Sequence, residues 1–232
     1  LHVTGVFPAL SPNCLEVTRR AIRVMRDAGR GLSFDPNLRP ALWASQDLMR
    51  DTLNELAAQC DIVHLCVTGS PQVELNLRGP DGVIAGGKRG LIVIDCSTSN
   101  PVSTLALGDE LKAAGMTLAD APLSRTPKEA EAGTLDTMVG ADADTFERIR
   151  PVIECWAGTI NHLGPLGLGH KMKLVNNFVA MGYAALYAEA LAIARKAGLS
   201  VEQFHSVIGA GRMRCGFYDT FMKWSREGDE NA

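Results

Sequence analysis

The chain lacks any excess of positive charge: 23 Lys and Arg stand against 26 Asp and Glu among 232 residues, a formal charge of -3. No run of five like charges occurs either, so a basic footprint for nucleic acid or anionic lipid is excluded. Paired cysteine spacing is missing as well. The six cysteines, at positions 14, 60, 66, 96, 155 and 215, form no C-x-x-C and stand at no zinc-finger interval from a histidine. They read as incidental thiols of a reducing cytosol, not as a metal site or a disulfide framework. No charged-then-apolar segment opens the sequence, and the longest apolar stretch is interrupted by Asn176, Asn177 and Glu189. Neither a signal peptide nor a membrane span is therefore expected. What remains is a cytoplasmic protein whose partner is a small molecule or another copy of itself. The first residue is Leu1 and not methionine, which suggests a piece of a longer chain.

With 46% hydrophobic and 21% charged residues the composition is that of an ordinary globular protein able to bury a core. Through the first two thirds, apolar runs of strand length alternate with helical patterns, which predicts βαβ units and a mostly parallel sheet. The expected strands are His2 to Phe7, Gly31 to Asp35, Asp61 to Val67, Leu91 to Asp95, Met116 to Ala121, Asp136 to Val139 and Thr159 to Leu163. One helix is expected after Ser11-Pro12, with Val17, Ala21, Val24, Met25 and Ala28 on its apolar face and Gly29 as its stop. A second spans about Ser45 to Gln59 with Leu48, Met49, Thr52, Leu53 and Leu56 inward. After Gly169 the texture changes, and Lys171 to Ala197 reads as one long helix ended by Gly198. At ~1.5 Å per residue it is about 40 Å long. Its apolar residues Leu174, Phe178, Met181, Ala185 and Leu191 point several ways, so a second domain or a partner subunit must cover it. Short helices at Val201 to Ile208 and Phe217 to Trp224 follow, then a polar end from Ser225 to Ala232.

Two resemblances meet near Asp61. His2-Val3-Thr4-Gly5, Ala9-Leu10-Ser11-Pro12 and Ser33-Phe34-Asp35-Pro36-Asn37-Leu38-Arg39-Pro40-Ala41-Leu42-Trp43 resemble ribokinase-like sugar kinases, most closely the 2-keto-3-deoxygluconate kinases. That resemblance implies Asn37 and Arg39 near an acidic sugar. The G-A-G-D anion hole such a kinase needs has only one lookalike, Gly209-Ala210-Gly211-Arg212, which lacks the aspartate base and reads more simply as a helix C-cap and turn. A kinase fragment, or a non-catalytic fold remnant, stands as the alternative reading.

From Asp61 onward four blocks occur in order: Asp61-Ile62-Val63 with Ser70-Pro71-Gln72-Val73-Glu74; Val93-Ile94-Asp95-Cys96-Ser97-Thr98; Asp120-Ala121-Pro122-Leu123-Ser124 through Glu131-Ala132-Gly133-Thr134-Leu135; and Gly167-Leu168-Gly169 through Lys173-Leu174-Val175-Asn176-Asn177. Together they are similar to β-hydroxyacid dehydrogenases of the 3-hydroxyisobutyrate dehydrogenase type. The resemblance implies an NAD- or NADP-dependent oxidoreductase acting on a small anionic 3-hydroxyacid, and a homo-oligomer. It implies Lys173 as the proton-transferring group, and Lys173, Asn176 and Asn177 also share one helical face at i, i+3 and i+4. Ser124 corresponds to the serine of a D-x-P-x-S-G-G substrate loop whose two glycines are here Arg125 and Thr126. A similar pair occurs in sulfolactaldehyde reductases, and an arginine fork suits a sulfonate or a second carboxylate. Val67, Thr68 and Thr98 match positions lining the nicotinamide pocket, Thr68 in place of a proline. No metal is expected.

The dinucleotide fingerprint G-x-G-x-x-G is absent after the first strand, where the turn reads Phe7-Pro8-Ala9-Leu10-Ser11. Weak cofactor binding and an inactive protein are the expectation that follows. The expected architecture is a mostly parallel Rossmann-like α/β sheet followed by a truncated all-α domain with one long helix. Its parts are a sugar-kinase-like βαβαβ segment (1–60), the second half of a dehydrogenase nucleotide domain (61–165) and a partial helical substrate and dimerisation domain (166–232), a chimeric chain joined at Asp61.

Overall fold

A computed structural model of the chain describes all residues except Leu38, Asp81 and 228–232, so the last five residues of the polar end lie outside the described part. The first half runs β1 (His2–Thr4), α1 (Val6–Ala9), α2 (Pro12–Asp27), β2 (Ser33–Asp35), α3 (Gln46–Ala57), β3 (Ile62–Leu65), α4 (Ser70–Arg78), α5 (Val83–Gly86) and β4 (Ile92–Asp95). The second half runs α6 (Pro101–Ala113), β5 (Thr117–Asp120), β6 (Leu123–Ser124), α7 (Pro127–Glu131), β7 (Leu135–Gly140), α8 (Ala143–Ile153), β8 (Ala157–Gly164), α9 (Leu168–Lys196), α10 (Val201–Ile208) and α11 (Gly216–Glu227). The helix starts follow local chemistry. Ser11 Oγ accepts the Cys14 amide ahead of Pro12, Ser45 Oγ accepts that of Leu48, and Asn100 Oδ1 accepts that of Val102 ahead of Pro101. Gly29 and Gly198, at φ +63° and +85°, end their helices in the left-handed conformation glycine takes without strain.

All seven expected strands form, and the first five lie parallel in the order β1-β2-β3-β4-β5. Beyond them β7 pairs antiparallel with β5 and β6, and parallel with β8. The two-residue β6 was not expected. Register shows which face each helix covers. Val3, Phe34, Val63, Val93 and Leu118 form one row across the sheet. They pack on Ile22 of α2, Leu53 and Leu56 of α3, Val73 and Leu77 of α4, and Leu107 and Leu111 of α6. The opposite row, Ile62, Ile92, Ile94 and Ala119, packs on Ile149 and Ile153 of α8. Over β1 and β2 that second face carries His2, Thr4, Ser33 and Asp35, polar side chains that ask for no apolar cover.

Sequential strands whose connecting helices all share one face differ from a doubly wound sheet, in which the connections diverge to both faces at a switch point. The sheet is Rossmann-like in its parallel strands and its βαβ units, but the switch point is not among strands β1 to β5. The first two expected segments are joined through the sheet: β2 pairs with β3, and Asp61 Oδ2 accepts the Leu32 amide at 3.0 Å.

The inward face of α2 differs from expectation. Val17 and Val24 are 57% exposed, while Ile22 is buried with Thr18, and Leu15 and Met25 pack beside them. The Thr18 hydroxyl donates to Cys14 O at 2.8 Å inside its own helix, so this polar residue turns inward at little cost. In α3 the expected face holds except at Leu48, which is exposed.

The described chain divides into two compact units, Leu1–Lys173 and Leu174–Ala232. The second is all helical, with a core of Tyr187, Ala194, Phe204, Tyr218 and Met222. Helix α9 is long and apolar enough, by length and composition, to cross a membrane. Phe178 and Met181 on it are 79% and 71% exposed.

Candidate functional site

The carboxyl ends of β3, β4 and β5 carry a set of buried polar groups that stitch their turns together. Asp95, at the end of β4, accepts the Ser97 amide and the Ser99 hydroxyl, both at 2.9 Å. Ser97 Oγ accepts the Val67 amide at 2.9 Å, and Ser70 Oγ accepts that of Asn100 at 2.7 Å. The turns after β3 and β4 are thus tied side by side, with Thr68 and Thr98 left exposed on them. Asp120, at the end of β5, accepts the Gly167 amide at 2.7 Å and the His170 amide at 2.6 Å, which fixes the start of α9. Burial pushes the Asp120 carboxyl up, and these two amide donors pull against it. Two glycines make room for this carboxylate: a Cβ on Gly140 would meet Asp120 Oδ1 at 2.2 Å, and one on Gly169 would meet Met138 O at 2.2 Å. None of these roles was assigned from the sequence, although Asp95, Ser97, Asp120, Gly167 and Gly169 stand inside the quoted blocks. The missed signal was the pairing of a strand-ending aspartate with small or hydroxyl residues.

Lys173 lies in the second turn of α9, half-buried, and burial lowers its pKa. Asn176 and Asn177, further along the same unbroken helix and within the second unit, are half-buried too, while Met172, Leu174, Val175 and Phe178 between and beyond them are exposed.

In the expected substrate loop, Ser124 forms the end of β6 opposite Asp136 of β7. Arg125 holds φ +89°, the left-handed region that favours glycine. The backbone therefore keeps the conformation a glycine would take while the side chain is arginine, a strain of ~1–2 kcal/mol. Its Nε donates to Asp136 Oδ2 at 2.7 Å, while Asp136 Oδ1 is buried with no hydrogen-bond partner among the described residues. The terminal guanidinium nitrogens form no hydrogen bond among the described residues. Thr126 turns out differently from expectation: its amide donates to Glu129 Oε2 at 3.1 Å and its hydroxyl at 2.5 Å, at the start of α7. Both donors serve that cap, so Thr126 has none left for a substrate.

The amino-terminal turn also needs correction. β1 is an edge strand, and the expected pyrophosphate turn Phe7 to Ser11 is largely the short helix α1. The strand next to β3 is β2, which ends at Asp35, and the loop after it holds Pro36, Asn37, Arg39 and Pro40. Asn37 takes φ +37°, and its amide donates to Asp35 Oδ1 at 2.9 Å. The prolines offer no N–H, and no glycine stands in this loop, so a glycine cradle for pyrophosphate does not fit there. The nicotinamide end fits better, because Thr68 and Thr98 stand exposed on two braced turns, and even a Cβ added at Gly69 would meet only Thr98 O, at 3.8 Å. Gly209 caps α10, as its sequence position suggests.

Residues 37–164 match the family model described as the NAD binding domain of 6-phosphogluconate dehydrogenase. Residues 167–228 match the NAD-binding model of NADP-dependent 3-hydroxyisobutyrate dehydrogenase. The chain is similar to 2-(hydroxymethyl)glutarate dehydrogenase of Eubacterium barkeri, 38% identical over 155 residues that make up 67% of this chain and 52% of that protein. It is also similar to a probable 3-hydroxyisobutyrate dehydrogenase of Mycobacterium bovis, 35% identical over 161 residues, 69% of this chain and 54% of the relative. A solved structure of Mycobacterium tuberculosis 3-hydroxyisobutyrate dehydrogenase with L-serine superposes with a TM-score of 0.69 at 29% identity, covering 84% of this chain and 67% of that one. The chain spans about half the length of the curated relatives it matches. The first family match begins at residue 37, inside the segment that resembles a sugar kinase, and so takes in Asn37, Arg39 and α3. The kinase and chimeric readings and the expectation of inactivity find no support in these comparisons.

Proposed function

The chain belongs to the β-hydroxyacid dehydrogenase family, and from that premise we propose that it oxidises a small 3-hydroxyacid carrying a second acidic group, with NAD or NADP as its cofactor. When bound, the nicotinamide supplies the carbon that accepts the hydride. Thr68 and Thr98 would hold that end of it. The remaining work belongs to the chain's own side chains. Lys173 takes the hydroxyl proton, and the lowering of its pKa by burial leaves a larger share of neutral amine near neutral pH than a solvated lysine has. In the reverse direction the same ammonium returns the proton. Asn176 and Asn177 offer amide donors and acceptors on the same face of α9 to orient the substrate.

Ser124 binds the carboxylate next to the reacting carbon. Arg125 meets the second acidic group with the terminal nitrogens that Asp136 leaves unused. The observation that carries this part is Arg125 itself: a strained arginine stands where a glycine would relax the loop, and Asp136 holds its Nε at 2.7 Å. The relative named for 2-(hydroxymethyl)glutarate, a 3-hydroxyacid with two carboxylates, supports the same choice. A second copy of the chain would cover Phe178 and Met181, and the setting would be the cytoplasm. Sedimentation of a monomer at tens of micromolar would count against the oligomer.

The activity is tested by supplying 2-(hydroxymethyl)glutarate and 3-hydroxyisobutyrate with either oxidised cofactor and following reduced nicotinamide. Higher kcat/KM for the dicarboxylate, with the preference cut by Arg125→Gly, is expected. No reduction with either acid refutes the activity, and an unchanged preference in Arg125→Gly makes Arg125 a bystander.

A further inference from the structure

His170 is wholly buried and lies beside the Asp95 and Asp120 carboxylates, Ser97 and Thr104. Its Nε2 is 3.1 Å from Ser97 O, a carbonyl that can only accept, so Nε2 carries the proton of this bond. Its Nδ1 is 2.8 Å from the Thr104 hydroxyl on α6. Its own backbone amide donates to Asp120 at 2.6 Å, and the Asp95 and Asp120 carboxylates each come within 3.8 Å of one of its ring nitrogens. One side chain thus touches the turn after β4, the start of α6, and, through Asp120, the end of β5.

Position matters here as much as bonding. His170 stands three residues before Lys173, nearly one helical turn, so the two side chains leave α9 on neighbouring faces. Ser97, whose carbonyl the ring holds, immediately precedes Thr98. Turning or sliding α9 to move the Lys173 amine would pull the ring out of its slot between Ser97 O and Thr104. No water-exposed alternative exists for a ring buried this deeply, and breaking the bond would leave Ser97 O without the imidazole donor.

We infer that His170 is a positioning residue that fixes the separation between the proton acceptor Lys173 and the nicotinamide-lining turn at Thr98. This rests on the proposed dehydrogenase reading. His170 touches neither substrate nor cofactor; it acts through the helix and the turn it joins. Misplacement by ~1 Å is enough to slow an oriented reaction by about 10²-fold, whereas binding of the acid, held by Ser124 and Arg125, is left largely alone.

The test compares His170→Leu and His170→Gln in the full chain. The leucine removes both ring bonds, while the glutamine Nε2 can still donate to Ser97 O. His170→Leu is expected to lower kcat by about 30- to 100-fold with KM changed by less than about three-fold, and His170→Gln to recover most of that loss. Amide hydrogen exchange gives a readout that needs no turnover. Residues 97–100 and 168–173 should exchange faster together in His170→Leu and slow together in His170→Gln, with β3 to β5 unchanged. If His170→Leu does not fold, His170→Asn, too short to reach Ser97 O, takes its place. Unchanged kcat, unchanged exchange at 97–100, or a glutamine variant no better than the leucine overturns the inference. A wild-type chain that turns over no hydroxyacid sinks the dehydrogenase reading instead, and the exchange comparison then decides alone whether His170 couples the two segments.

Discussion

Two buried polar clusters occupy the same parallel sheet, and they are built differently. On the helix-bearing face, at the carboxyl ends of β4 and β5, Asp95, Ser97, Ser99, Thr104, Asp120 and His170 all have hydrogen-bond partners. On the opposite face, over β1 to β3, His64 is buried with its Nε2 unpaired among the described residues, and its ring stands edge-on to that of His2 at 5.6 Å. The first cluster meets its desolvation cost with bonds and so fixes backbone turns in place. The second is only partly paired: His2 Nδ1 meets Ser33 Oγ and Asp35 accepts the Asn37 amide, but burial lowers the pKa of both histidines and raises that of Asp35. A satisfied polar cluster marks where the molecule holds geometry, and an unsatisfied one marks where the fold merely tolerates polar residues.

The largest expected effect falls on the satisfied cluster. Asp120→Ala strips two buried amide donors at the start of α9 of their acceptor, and should cost about 4 kcal/mol in denaturant unfolding. A loss under about 1 kcal/mol would mean that the two clusters do not differ as described.

A smaller effect, with a pH signature, belongs to the other face. The His64 ring titrates at about 4 in the folded chain against 6.5 for a free histidine. Between those values the unfolded chain binds a proton that the native state refuses, so stability falls as pH drops from 6.5 to 4, by at most roughly 3 kcal/mol. Above 6.5 this contribution is constant. His64→Leu should flatten the acid limb of the stability profile and leave neutral pH little changed. An acid limb as steep as that of the wild type would show that His64 is not its source.

Much of the fold could be read from the residues, because strand-length apolar runs separated by Gly, Pro and Ser signals fixed seven strands and the long helix. The strand order could not. Adjacent parallel pairing depends on which side of the sheet each crossover helix takes, and the apolar faces of α2 and α3 show which residues turn inward but not which side they cover. The face of α2 was misjudged for a related reason, since Thr18 hides its hydroxyl within its own helix and counts as polar in a periodicity. At the candidate site, Lys173, Ser124 and Thr98 were singled out by their place in the motif blocks, and their roles stand as the proposal made above. His170 and Asp120 could not, since their importance lies in partners about 50 to 73 residues away in sequence. The cap at Thr126 was not seen in the sequence either: Glu129, three residues on, takes up both its donors.

The claim at the centre of this account is that Lys173 moves the hydroxyl proton. Its most direct test is the rate of 3-hydroxyacid oxidation in Lys173→Ala beside the wild type, with nicotinamide fluorescence reporting cofactor binding in both. A fall of roughly 10²- to 10⁴-fold in kcat with binding retained is the predicted result. Undiminished turnover in the variant would contradict it.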